Sequence, residues 1–258
     1  MLDVIRQRPG NWRTASLDVK EIKSQLTDWI YHEVDGVVQS GPFTGMRILP
    51  DTSWKDSYLV PMLLGSYEEE LHGEIERQIN RLKKLAAPKI VVVGAAEGYY
   101  AIGLKCRIPQ ATVFVVEPDE VALEICGRAA TLNGVSVVVA PLNVAMESPD
   151  LIVMDCEGNE IHYCDLAQWP QLRGTYLIVE AHNFLPSDTQ PEQKTDDILV
   201  ERFRSTHWIT MLVEGPRNPN KHQLLVHMTS DYRWLALSEG RPCLMGWLVM
   251  EPKGVYCP

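Results

Sequence analysis

Residues 90–100 read IVVVGAAEGYY, and this stretch decides the fold. Its first four residues are apolar and β-branched, which is typical of a parallel strand that is covered on both faces. Gly94 and Gly98 then permit a tight turn with the backbone close to a ligand, and a helix is predicted from Tyr99. Because ligands of open α/β sheets bind beyond the carboxyl ends of the strands, we expect this turn to form the floor of a binding crevice.

Strand and helix patterns alternate along the rest of the chain. Strands are predicted at 90–93, 112–116, 136–139, 151–154, 176–179 and 208–213, with further short strands at 224–227 and 247–250. Helices are predicted at 99–107 and 120–132. This alternation indicates a parallel sheet with right-handed crossovers, with some late strands added antiparallel at an edge. The sequence therefore predicts an α/β protein with a Rossmann-like sheet and helices on both faces.

Residues 1–87 have a different pattern and are predicted to form a helical segment that acts as a lid. Its expected elements are helices at 16–34 and from Pro61 or Ser66 to Leu85, with a loop at 41–46. Amphipathic helices of this length need a larger apolar partner, so the segment should complete the site and not fold alone. The Rossmann-like domain is then expected to occupy residues 88–258.

Composition narrows the class of protein. The formal net charge of -10 would repel a phosphate backbone, so a nucleic-acid partner is disfavoured. The chain has 6 cysteines without a C-x-x-C pair, which favours reduced thiols in the cytoplasm. Residues 1–12 lack the apolar run of a signal peptide, and no run of about 18 apolar residues predicts a membrane span.

An acidic residue, Glu117, ends the second predicted strand and precedes Pro118. A carboxylate there, about twenty residues after the glycine turn, can bind both ribose hydroxyls of an adenosine. The alternative is a surface carboxylate near a helix N-terminus. The glycine spacing is neither G-x-G-x-x-G nor that of a phosphate loop, but the turn and the acid alone do not separate S-adenosylmethionine from a nicotinamide cofactor.

Two later strands also end in polar residues, in the segments LIVMDCEGNE at 151–160 and YLIVEAHN at 176–183. The carboxyl ends of parallel strands meet at one rim, so Asp155, Glu157, Glu180 and His182 are predicted to line one crevice. Side chains alternate along a strand, which places Glu180 and His182 on the same side. The alternative for Glu157 and Glu160 is a role at a helix N-terminus.

The segments at 93–101, 116–118, 152–160 and 178–182 together resemble the FkbM-type methyltransferases. These are class I enzymes with a Rossmann-like fold that use S-adenosyl-L-methionine, commonly as O-methyltransferases in natural-product and glycan pathways. The resemblance covers roughly residues 88–185, and its most specific piece is D-x-E-G-x-E at 155–160. It implies a small-molecule or glycan hydroxyl as methyl acceptor.

The resemblance also implies a role for each matching residue. The cofactor-binding residues would be Gly94, Ala95, Ala96, Glu97, Gly98, Tyr99, Tyr100, Glu117, Pro118 and Asp155. Among them, the glycine turn would wrap the methionine part, Glu117 would hold the ribose, and Asp155 would lie near the methyl group with His182 across the site. One position departs from the family, because Val92 replaces the acid that usually orients the cofactor amine.

Methyl transfer to a hydroxyl benefits from a base within hydrogen-bond reach. His182 is the first candidate, because the pKa of histidine ordinarily lies near neutrality. Asp155 could orient it, act as the base itself, or help to hold a metal. Asp155, Glu157, Glu180 and His182 are ligand types that Mg²⁺ or Mn²⁺ accepts, but their spacing is not diagnostic and a metal is not favoured.

Other interpretations stay open. Val92 supports a catalytically inactive module that keeps the fold for binding or assembly, and a homo-oligomer is compatible with the sequence. A nicotinamide-dependent oxidoreductase is disfavoured by the turn spacing and by the D-x-E-G-x-E element. Trp54 and Tyr58 lie in a loop beside the lid, and the polar loop 218–222 could cover the crevice.

Overall fold

The computed structural model describes residues 19–51, 58–183, 194–241 and 243–254. The strands are β1 (Lys89–Val93), β2 (Thr112–Val116), β3 (Val138–Val139), β4 (Leu151–Met154), β5 (Tyr176–Glu180), β6 (His207–Val213) and β7 (Gly246–Pro252). The α-helices are α1 (Val19–Val34), α2 (Leu59–Leu64), α3 (His72–Leu82), α4 (Tyr99–Arg107), α5 (Glu120–Leu132), α6 (Leu142–Ala145), α7 (Glu160–Tyr163), α8 (Thr195–Phe203) and α9 (Ser230–Ala236).

The strands form one seven-stranded sheet in the order β3-β2-β1-β4-β5-β7-β6. Neighbours from β3 to β5 are parallel, and β7 is antiparallel to both β5 and β6. This is the Rossmann order with one antiparallel strand inserted before β6, which confirms the predicted α/β, Rossmann-like fold. The antiparallel late strand lies inside the sheet and not at its edge. The strand order reverses between β1 and β4, and a ligand crevice belongs there.

Both faces of the sheet are covered by helices. In β4, Leu151 and Val153 pack into a core with α3, α4 and α5, whereas Ile152 and Met154 pack into a second core with α6 and α8. This division follows from the alternation of side chains along a strand. It also explains why the strands at the centre of the sheet are apolar at successive positions, since neither face meets water.

The N-terminal helices pack against distant parts of the chain. Leu26 of α1 and Leu63 of α2 share a third core with Leu225 and Leu237. Ile79 of α3 packs against the sheet in the first core. The proposed boundary at residue 87 therefore separates segments that share apolar cores, and the division into a lid and a domain stays a prediction.

The helix predicted from Pro61 or Ser66 to Leu85 is not continuous: the start at Pro61 is wrong, and between Ser66 and Leu85 only His72–Leu82 is α-helical. The segment is broken into α2, a 3₁₀ turn at Glu69–Leu71, and α3. Gly65 ends α2 in a left-handed conformation with φ 73°, and a Cβ there would lie 2.0 Å from the carbonyl oxygen of Ser40. This close approach requires glycine and stops the helix.

The strand predicted at 224–227 is also wrong, because Gln223–Leu225 forms a 3₁₀ turn. Leu225 is fully buried in the third core, so its apolar character serves packing against the N-terminal helices. A short apolar run cannot by itself separate these two outcomes. The third strand is shorter than predicted and keeps only Val138–Val139, both exposed at the sheet edge.

The sequence predicts reduced thiols and no membrane-spanning helix. The cysteines within the described residues are all free, and Cys257 lies outside them. No helix in the described part of the chain combines the length and apolarity that crossing a bilayer requires. The segment 1–12 lies outside the described residues.

Candidate active site

A cavity of about 850 Å³ lies at the carboxyl ends of β1, β2, β4 and β5. It is the crevice expected where the strand order reverses. All of the predicted site residues line it: Gly94, Ala95, Ala96, Glu97, Gly98, Tyr99, Tyr100, Glu117, Pro118, Asp155 and His182. Glu157 and Glu180 line it as well. The fold therefore brings together residues from the glycine turn and from three further strand ends.

The glycine turn has a left-handed backbone at Gly94, Ala96 and Gly98, with φ values of 72°, 45° and 91°. A Cβ on Gly94 would lie 1.6 Å from the carbonyl oxygen of Asp155, the first residue after β4. A Cβ on Gly98 would lie 2.6 Å from the sulfur of Cys126. No side chain fits at Gly94 because the backbone of Asp155 is too close. The backbone of residues 94–98 lines the cavity.

Glu117 holds this turn from the neighbouring strand end. Its carboxylate accepts hydrogen bonds from the backbone N–H of Ala96 at 2.8 Å and of Asp119 at 2.9 Å. The cap of α5 is Asp119, which accepts from the N–H of Val121 at 2.8 Å, so capping does not explain Glu117. A carboxylate offers about four acceptor positions, so Glu117 can still receive two hydroxyl groups.

His182 lies among four carboxylates and is 4% exposed. Its Nε2 atom is 3.5 Å from Glu157, 3.6 Å from Glu180 and 3.7 Å from Asp155. On the other side of the ring, Nδ1 is 2.8 Å from Oε1 of Glu160. Asp155 and His182 therefore face each other, but the hydrogen bond that orients the ring comes from Glu160.

A buried ion-pair network closes the same end of the cavity. The guanidinium of Arg241 pairs with Glu68 at 2.8 Å, with Glu239 at 3.0 Å and with Glu180. Tyr100 donates its hydroxyl to the second oxygen of Glu68. Glu68 itself has a left-handed backbone with φ 49°, which is uncommon for a residue with a side chain. The network joins the N-terminal segment, α4, β5 and the turn before β7.

Burial and the neighbouring charges shift several pKa values. Burial, and then the charge of Glu180, raise the pKa of Glu68 to about 8. The same two causes raise the pKa of Asp155 well above its ordinary value. Burial opposes ionisation of Glu160, but hydrogen bonds from His182 and from the Gly158 N–H outweigh it and lower its pKa.

Two sets of side chains have oxygen or nitrogen atoms within 4.8 Å of one another, as a metal ion would require. The sets are Asp155, Glu157 and His182, and Glu68, Asp155 and Glu180. In the second set, the guanidinium of Arg241 already pairs with Glu68 and Glu180. Close carboxylates alone do not define a metal centre, and we assign no metal to either set.

The sequence also predicted two aromatic residues and one polar loop near the crevice. Tyr58 lines the cavity, with its ring centroid 5.8 Å from that of Tyr67, which also lines it. Trp54 lies outside the described residues. The loop 218–222, which the structure describes in full, contributes no lining residue to this cavity, so its predicted role as a cover is wrong. Its Lys221 instead pairs with Glu69 at 2.5 Å.

Some side chains of the site were not predicted from the sequence. Arg241 follows Gly240 in a turn that carries no recognisable motif. Glu68 falls within the predicted N-terminal helix, whose pattern gave it no role at the site. Glu160 was interpreted as a residue at a helix N-terminus, and it does begin α7, but its contact with His182 depends on how β5 and α7 pack.

No protein-family model matches the chain, and no curated protein matches it. Among solved structures, the O-methyltransferase TomG from Streptomyces achromogenes, involved in tomaymycin synthesis and in complex with S-adenosylmethionine, is similar at 13% identity and TM-score 0.43, over 90% of each chain. The METTL16 methyltransferase domain is similar at 10% identity and TM-score 0.49, over 92% of this chain and 81% of that one. Fibrillarin, a pre-rRNA processing protein of Methanococcus jannaschii, is similar at 13% identity and TM-score 0.41, over 64% of this chain and 67% of that one. With similarities this low, the function has to be argued from the residues of the cavity.

Proposed function

We propose that the protein is an S-adenosylmethionine-dependent methyltransferase of the FkbM type that methylates a hydroxyl of a small molecule or sugar. One observation carries the proposal: Glu117 anchors the left-handed glycine turn at the point where the strand order reverses, and Asp155 and His182 line the same cavity. The assignment to the FkbM type depends on the motif resemblance.

The residues present fit the cofactor. The backbone of 94–98 would lie along its methionine part, and Glu117 would accept from the ribose hydroxyls. Oδ1 of Asp155 is buried without a hydrogen-bond partner among the described residues, so a donor group in the cavity would satisfy it. Val92 is 2% exposed in β1, and Glu97 and Asp155 are the acids that would take over orientation of the cofactor amine.

When bound, the cofactor supplies a methyl carbon attached to a sulfonium leaving group. The cavity walls would bind and orient the acceptor hydroxyl. His182 would take the proton of that hydroxyl at Nε2. Glu157 and Glu180 would stabilise the imidazolium that results, because their oxygens lie within 3.6 Å of Nε2.

The acidic lining favours an acceptor without phosphate groups. Glu97, Glu117, Glu157 and Asp51 all line the cavity, and the arginines among its described lining residues are Arg47 and Arg241. Negative potential of this kind repels a nucleic-acid backbone. We therefore propose a small-molecule or glycan substrate and no nucleic-acid partner.

Calorimetric titration of S-adenosylmethionine and S-adenosylhomocysteine into the purified protein tests the proposal. Both should bind the parent protein. Glu117→Ala should weaken binding, because it removes two charge-assisted hydrogen bonds worth roughly 1.5–3 kcal/mol each at most.

Asp119→Ala is the matched control for this titration. It removes the neighbouring carboxylate and the cap of α5, at a cost of about 0.5–2 kcal/mol in stability, but should keep the affinity. If the parent protein binds neither compound, the proposed function is wrong, and an inactive module with the same fold becomes the better interpretation, as Val92 suggests.

A further inference from the structure

Glu160 is fully buried at the start of α7, behind the imidazole of His182 as seen from the cavity. Its Oε1 atom is 2.8 Å from Nδ1 of His182 and accepts the backbone N–H of Gly158 at 3.1 Å. Glu160 does not line the cavity, whereas Asp155 and Glu157 do. It therefore contacts the proposed base from the side that a substrate cannot reach.

The loop between β4 and α7 is shaped to bring Glu160 to this place. Glu157 and Gly158 have consecutive left-handed backbones, with φ values of 53° and 102°. A Cβ on Gly158 would meet nothing within 4 Å, so glycine is favoured here by backbone conformation and not by space. The two residues turn the chain back after the strand, and the D-x-E-G-x-E pattern thereby places its last acid under His182.

The bond to Glu160 fixes which ring nitrogen carries the proton. An ionised carboxylate accepts hydrogen bonds and has no proton to donate. The backbone N–H of Gly158 donates to Oε1 of Glu160 at 3.1 Å, and this bond favours the ionised form of Glu160. Nδ1 of His182 must then be the donor, and in the neutral ring the lone pair is left on Nε2.

We infer that Glu160 is a positioning residue that holds His182 with its proton on Nδ1 and the lone pair of Nε2 directed at the cavity. Among the described residues, the groups that face Nε2 include Asp155, Glu157 and Glu180, at 3.5–3.7 Å. Asp155 therefore lies on the wrong side of the ring to take this role. The consequence for proton transfer rests on the proposed function, but the protonation of Nδ1 does not.

Nitrogen-15 NMR of the full chain, labelled at its 7 histidines, tests this inference without a known methyl acceptor. The His182 signals are assigned by their loss in His182→Ala. At a pH where the ring is neutral, we expect the parent protein to show protonated Nδ1 and unprotonated Nε2. In Glu160→Gln the amide can donate or accept, so a population with protonated Nε2 should appear.

Glu201→Gln serves as the matched control, since Glu201 is an exposed acid of α8 that pairs with Arg204, and it should keep the parent spectrum. A parent ring protonated on Nε2 would overturn the inference, and so would an unchanged proton position in Glu160→Gln. If Glu160→Gln does not fold, the parent spectrum alone decides.

Kinetics can separate a role of Glu160 in positioning His182 from a role that only stabilises the fold. With a methyl acceptor in hand, Glu160→Gln should lower kcat by up to about 10⁴-fold, the loss that follows when a catalytic histidine is held in the wrong tautomer. KM for S-adenosylmethionine should stay near the parent value; a large rise in KM with unchanged kcat would contradict a positioning role. Failure of the parent protein to bind S-adenosylmethionine would overturn the proposed function and leave the NMR result intact.

Discussion

At the scale of single residues, Gly94 holds the turn after β1 against the backbone of Asp155, where a Cβ would lie 1.6 Å from the carbonyl oxygen. The tight turn and the carboxylate of Glu117 were predicted because their residue types and spacing carry local information. The contact between Glu160 and His182 was not, since it joins two elements whose packing no local pattern encodes. The same holds for Arg241, whose partners Glu68 and Glu180 are far away in the chain.

Gly94→Ala should disturb both stability and cofactor binding. The new methyl group would lie 1.6 Å from the backbone of Asp155, and the backbone at φ 72° is one that alanine rarely adopts. We expect a lower midpoint of urea unfolding and weaker binding of S-adenosylmethionine by calorimetry.

Gly127→Ala is the matched control, because this glycine lies exposed within α5 with nothing within 4 Å of the added carbon. It should stabilise the protein by about 0.5–1 kcal/mol through helix propensity and leave binding unchanged. Equal behaviour of the two variants would show that the turn tolerates a side chain.

At the scale of elements, the helices α4 and α5 and the strands β2 and β4 have the predicted bounds. Periodicity identifies such elements well because each helix buries one face against the sheet, and each central strand is covered by helices on both faces. It does not detect a break such as Gly65, where close approach of another backbone ends a helix. The short helices α6 and α7 have too few turns to show a period at all.

The buried network around Arg241 should contribute strongly to the docking of these elements. Arg241→Met would leave Glu68 and Glu180 buried without their cation, and breaking a buried pair in this way costs about 3–5 kcal/mol. We expect that loss in the free energy of unfolding, measured with guanidinium chloride.

Arg204→Met provides the comparison, because Arg204 pairs with Glu201 on the surface, where both side chains are about two thirds exposed. Such a pair contributes about 0–1 kcal/mol. Comparable losses in the two variants would mean that the network does not hold the elements together.

At the scale of the whole molecule, the alternation of strands and helices was enough to predict the layered sheet, because this pattern admits few topologies. It could not predict how residues 1–87 pack. Their apolar residues meet Leu225 and Leu237, which lie more than a hundred positions later in the chain.

Limited proteolysis tests whether residues 1–87 depend on the rest of the chain. The third core combines α1 and α2 with the region around α9, so separation would expose apolar surface on both parts. We expect no stable fragment of residues 1–87 by mass spectrometry and circular dichroism. Release of a folded fragment of that size would establish an independent domain.

The pair between Glu68 and Arg241 spans 173 positions of the chain, and this separation matters during synthesis. A ribosome that adds about 5–20 residues per second makes Arg241 roughly nine to thirty-five seconds after Glu68. Throughout that interval Glu68 lacks the guanidinium of Arg241, and for most of it α1 and α2 lack Leu225 and Leu237 of their shared core. The nascent chain can therefore assemble β1 to β5 early, but it completes the wall of the cavity only when its last strands emerge.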